Sequence, residues 1–173
     1  VVDSKALSTG QGLLIMKAAD LRDAGVSAEE IVEKVNALRP FVNTSFVPDR
    51  LDYLYKGGRC SRMAFYGATL LKFHPLIEMR DGQLTADKKY RGGMVKCIEQ
   101  YIDDLAVKYP KYEKTRCFIT NSMADEAVVE AARKKVAEKF SFDEVLETVA
   151  GSVITGHCGR NTLGVLFIAE ENE

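Results

Sequence analysis

The sequence contains no tryptophan and, in 173 residues, only two histidines, four prolines and four cysteines. The cysteines at 60, 97, 117 and 158 form no C-x-x-C pair, which excludes a disulfide scaffold and predicts reduced thiols in a cytoplasm. His74 and His157 have no cysteine or carboxylate cluster at ligand spacing around them, so no metal site and no metal cofactor is expected. Neither sign of charge is in excess. Lys+Arg of 24 against Asp+Glu of 25 leaves a net charge of −1, which excludes holding nucleic acid through bulk charge. No apolar run approaches the ~20 residues that span a bilayer. The chain also lacks an initiator Met and a signal peptide. It opens on Val1-Val2-Asp3-Ser4, which reads as the end of a buried strand entering a loop, with a preceding portion missing. What is present is ordinary globular stock, 46% apolar and 28% charged, which excludes wholesale disorder in a chain of about one domain's length.

Ser8-Thr9-Gly10-Gln11-Gly12 reads as a loop feeding an apolar helix that ends at Gly25. Ser27-Ala28-Glu29-Glu30 is a capping box opening a helix with Ile31, Val35 and Leu38 on one face, stopped by Pro40. Phe41 to Val47 reads as a strand. Asp49 then caps a short helix through Leu51 and Leu54 that Gly57-Gly58 terminates, and a boundary falls near residue 48. Met63 to Leu71 is an apolar helix. Phe73–Met79 and Gln83–Tyr90 flank the two-residue hairpin signal Asp81-Gly82. A helix stripe from Met94 to Leu105, a strand at Thr115–Asn121, a helix at Ala124–Lys139 and strands at Val145–Ala150 and Leu163–Ala169 complete the pattern. Helices and strands alternating around one antiparallel hairpin predict an α/β fold, a mixed sheet flanked by helices.

Two stretches are free of acids and rich in apolar residues, from Tyr53 to Ile77 and from Gly151 to Ala169. The first holds Lys56, Arg59, Arg62 and Lys72. The second holds His157 within Gly-Ser-Val-Ile-Thr-Gly-His-Cys-Gly, with Arg160 directly after it, read as a turn whose backbone amides could form an anion nest. Together they suit an anionic head attached to an apolar tail; the plain alternative is ordinary core with solvated cations. Gly57-Gly58-Arg59-Cys60-Ser61-Arg62 lacks the spacing of a phosphate loop and reads more simply as a helix end followed by a helix start. His157 beside Cys158 resembles a thiol dyad only in sequence, because adjacent side chains usually diverge.

Leu51-x-x-Leu54-x-Lys56-Gly57-Gly58-Arg59, then Leu70-Leu71-x-x-x-Pro75-Leu76-Ile77, Asp81-Gly82 and Gly156-His157-x-Gly159, in this order and spacing, resemble the DegV family of bacterial fatty-acid-binding proteins. The opening Val2-Asp3-Ser4…Ser8-x-Gly10-x-Gly12 is similar to that family's middle segment. The resemblance implies two α/β domains, with residues 1–47 the tail end of the first and 48–173 the second, DegV-like lipid-binding domain. It further implies a long-chain fatty acid as ligand, its carboxylate presented to a separate fatty acid kinase catalytic subunit, and no catalysis by the binding protein itself. His157, after Gly156, matches the family histidine near the head group, and Arg59 the arginine of the Gly-Gly-Arg motif. The head-group hydroxyls of the family lie upstream of these residues. The chain departs from the pattern at His74, where a lysine is usual, at Arg160-Asn161 in place of Pro-Gly, and at Cys60 in place of an aliphatic residue.

The resulting expectation is an apolar slot lined by Met63, Phe65 and Leu70, with the head near His157, Gly156 and Arg59. The alternative is a small enzyme, a phosphotransferase or thiol hydrolase using His157 and Cys158; a pure scaffold would have no pocket. Lys88, Lys89, Arg91 and Lys96 form a basic run with Asp87 the sole acid between Thr85 and Cys97. Such runs usually mean a solvated face, yet Lys89 and Arg91 are also candidates for docking an acidic partner.

Overall fold

The last strand, Thr162–Ala169 (β7), is buried at every position, so both its faces must be covered. One side is supplied by the chain's first helices. Ser8–Asp23 (α1) lays Leu13 on Phe118, Leu166 and Ile168, and Ala28–Leu38 (α2) packs beside α1. The Ser27 capping box is formed as the sequence predicts, with Ser27 Oγ accepting from the Glu30 amide. The other side is supplied by Met94–Lys108 (α4) and Glu126–Lys139 (α5), whose buried stripes share one core with Ile119, Val165 and Phe167. The computed structural model describes residues 1–58 and 73–171, and the helix expected over Met63–Leu71 lies outside them.

Two sheets result. Val42–Asn43 (β1), β7, Tyr112–Ser122 (β5) and Val145–Val149 (β6) form a mixed sheet in that spatial order, with only β5 and β6 parallel, joined through α5. Ser45–Phe46 (β2), Phe73–Arg80 (β3) and Gln83–Arg91 (β4) form an antiparallel sheet. The β3–β4 turn holds Asp81 and Gly82 both at positive φ, 49° and 76°, the handedness a two-residue hairpin requires.

The single strand expected over Phe41–Val47 instead serves both sheets. Val42, Asn43 and Val47 pair with Ile168, Phe167 and Leu163 of β7 in one continuous register, whereas Ser45 and Phe46 bow out to pair with β3. The bow leaves Val165 without a strand partner on that side. Asn43 Nδ2 donates to Val165 O at 2.9 Å, and the Val165 amide donates to the Tyr101 hydroxyl at 3.0 Å, so α4 supplies what the ladder lacks.

Other boundaries also differ from expectation. Residues 1–7 form no strand, and Val1 is fully exposed. The α1 helix takes in the predicted loop from Ser8, because Gly10 can press against Thr44 where a side chain would collide. Asp49 does not cap the short helix Asp52–Lys56 (α3); Leu51 occupies that position, and Asp52 in the first turn pairs with Arg50 instead. The glycine-rich stretch after β6 is a helix, Ser152–Cys158 (α6), since Gly156 lies within it and Gly159 ends it.

Candidate functional site

Two of the segments that carry the resemblance meet. The α3 and α6 helices pack against each other, and beneath them Phe46, Leu54, Ile77 and Cys158 form a separate apolar cluster, with Leu51, Leu84 and Ile154 at its edge. Alternation along β3 puts Ile77 on the face turned to α3 and α6, while Leu76 and Glu78 face α4. Each sheet face therefore has its own layer.

His157 is half-buried near the end of α6, its ring against Gly57 at the end of α3. Its Nδ1 is buried with no hydrogen-bond partner among the described residues. Residues 152–158 form a helix, not the glycine turn that the sequence suggests, a correction to that reading: from Thr155 on, the amides bond back along the helix, so they do not fan into an anion nest. Gly156 is exposed, and a Cβ there would meet nothing within 4 Å among the described residues. Arg59, Met63, Phe65 and Leu70 lie outside the described residues. Of the predicted site residues, the structure thus describes His157 and Gly156 on one short helix above the apolar cluster.

Cys158 points into that cluster, away from solvent, and burial pushes its thiol up to about 11. An activated nucleophile needs the opposite shift, and Nδ1 of His157 does not bond to it, so the pair has no dyad geometry. Next to the cluster is a cavity of about 30 Å³ walled by Phe46, Ile154, Cys158 and Leu166 together with Thr120 and Ser122. Ser122 is nearly fully buried, and its hydroxyl has no partner among the described residues. Thr9, Thr120 and Thr148 link their hydroxyls in a chain at 2.6 and 2.9 Å alongside it. Sequence reading missed Phe46, Ser122 and these threonines, because only the bow of residues 44–46 and the β5 register bring them to α6.

A larger groove of about 600 Å³ lies elsewhere, between residues 39–44, the β3–β4 turn and the end of α4, and its lining among the described residues includes neither His157 nor Gly156. Two of the cations along it, Lys108 and Arg80, both bond the buried Glu78 carboxylate, at 2.6 and 2.7 Å. His74 is structural, its ring nitrogens facing Pro48 O at 3.3 Å and Gly92 O at 3.1 Å.

The basic run is not one patch. Lys88 turns to the α4 side and bonds Asp104 at 2.8 Å, beside Tyr90, whose hydroxyl donates to the same carboxylate. Lys89 and Arg91 lie on the opposite face, opposite Pro75 and Phe73 in the ladder, with the Arg91 guanidinium 5.9 Å over the Phe73 ring. Among the described residues there is no group of three or more metal-ligating side chains, and no helix is long and apolar enough to cross a membrane.

A DegV domain-containing protein of Clostridium acetobutylicum is 30% identical over 97% of this chain and 58% of its own length. The solved DegV family protein of Thermus thermophilus, described by its fatty acid binding, superposes with a TM-score of 0.86 at 27% identity over 98% of this chain and 60% of its own. The Streptococcus pneumoniae fatty acid kinase B3 protein, loaded with linoleic acid, has a TM-score of 0.84 at 24% identity over 98% and 59%, a likeness of fold. The chain thus spans a little under 60% of the length of the curated relative. With residues 1–170 matching the family described as "Uncharacterised protein, DegV family", the chain belongs to the DegV family.

Proposed function

We propose that this chain forms the tail-holding part of a long-chain fatty-acid-binding protein, which works in the cytoplasm with a separate kinase that acts on the ligand's carboxylate. In this reading residues 48–173 are the lipid-binding domain and 1–47 the remainder of the one before it. The acyl tail lies against Phe46, Leu54 and Ile77, and His157 faces the head. The observation that carries the reading is the meeting of α3 and α6 over an apolar cluster separate from the main core, with His157 at its rim. Burial at ~0.8 kcal/mol per CH₂ supplies affinity without any chemistry from the protein. The Thermus relative, described as binding fatty acid, supports the ligand, and the fatty acid kinase B3 protein supports the partner. The thiol-enzyme reading loses support from the raised Cys158 thiol.

Solvent extraction of the purified intact protein, followed by mass spectrometry, tests this reading. A long-chain fatty acid at near one per protein is expected. Recovery of no lipid, together with no uptake of added oleate or palmitate, would overturn it.

A further inference from the structure

The α3 and α6 helices end in the same way: each runs into a glycine, Gly57 and Gly159, and each of those glycines lies under a ring carried by the other helix. A Cβ at Gly57 would collide with His157 Nδ1 and lie 3.1 Å from Cε1. A Cβ at Gly159 would lie 2.5 Å from Cδ2 of Tyr53 and 2.9 Å from its Cγ and Cε2. Two rings set on two glycines form a reciprocal interlock between segments about a hundred residues apart in the chain.

The two glycines are needed for different reasons. Gly159 has φ of 80°, a conformation that already favours glycine. Gly57 sits at φ −73° and ψ −3°, where any residue is at ease and where alanine is intrinsically the better choice. Apart from the Tyr53 carbonyl oxygen at 3.1 Å, what excludes a side chain at Gly57 is the imidazole of His157.

We propose that Gly57 and Tyr53 are positioning residues for His157. They seat the ring so that Nδ1 is closed off against α3 and Nε2 is the nitrogen left to meet an anionic head group. Tyr53, over a third exposed, holds the α6 end from the other side and fixes the depth at which the ring sits. This inference rests on the fatty-acid reading above, since it needs a carboxylate for Nε2 to meet.

The test is a double-mutant cycle on the delipidated intact protein, with oleate and methyl oleate as probes. His157→Ala and Gly57→Ala are each expected to weaken oleate about tenfold, the scale of one hydrogen bond to a charged group, and to leave methyl oleate unchanged. In the His157→Ala background, Gly57→Ala should cost less than about twofold, because it acts only through the ring. Tyr53→Ala should weaken oleate in the same direction and Tyr53→Phe should bind as wild type, which keeps the test open if Gly57→Ala does not fold. Gly57→Ala and Tyr53→Ala both binding oleate as wild type while His157→Ala weakens it, or additive losses in the cycle, would overturn the interlock and leave the fatty-acid reading standing. A silent His157→Ala would remove the head-group role and the interlock's function with it.

Discussion

Tyr101 shows how much one side chain is asked to do. Its ring is fully buried in the core under β7, and its hydroxyl accepts from the Val165 amide at 3.0 Å while lying 2.8 Å from Ser45 Oγ and 3.0 Å from Ser45 O. Burial raises the phenol well above its usual range, so it stays neutral at any working pH and acts as donor and acceptor together. Tyr101→Phe preserves the packing but strands the Val165 amide and the Ser45 hydroxyl, both buried. A loss of about 1–3 kcal/mol in unfolding free energy is expected in urea titration, with the fold retained. An unchanged midpoint would mean that the bow of residues 44–46 has another support. His157 is the contrasting case, a polar ring whose Nδ1 is buried against Gly57 and unpaired among the described residues, a cost that the proposed seating of the ring accounts for.

At the scale of elements, the features legible in sequence were those with a local cause. The Ser27 capping box, the Asp81-Gly82 turn, the α4 stripe and the α5 helix all follow from residues within a few positions of one another. What escaped was tertiary. Nothing local says that residues 42–47 divide between two sheets, because each half is an equally good strand and only Tyr101 and Asn43 make the division affordable in hydrogen bonds. Gly156 argued for a turn, yet α6 is helical because it is anchored by Cys158 in the apolar cluster and by Tyr53 on Gly159. The β4 strand divided the basic run by simple alternation, a period-2 effect that a count of charges does not capture. On the face it shares with Ile77, Lys89 and Arg91 remain the proposed docking pair. Reversing both charges, Lys89→Glu with Arg91→Glu, should leave oleate affinity as it was and slow acyl-phosphate formation with the cognate kinase, most at low salt where steering is least screened. Equal turnover at low salt would place docking elsewhere.

For the whole molecule, two apolar cores divide the work. The larger, built on β5, β7, α4 and α5, holds the sheets together. The smaller, under α3 and α6, has a hydroxyl-edged cavity beside it and the half-buried His157 above it. That division is what a carrier needs, since a site that fills and empties cannot also be the main source of stability. The account stands on the smaller core receiving an acyl tail. Calorimetric titration of the delipidated intact protein with saturated fatty acids of increasing length tests this directly. Binding should strengthen by about 0.8 kcal/mol for each added CH₂ until the slot is full and then level off. Affinity that is flat with chain length, or absent for every acid, would contradict it.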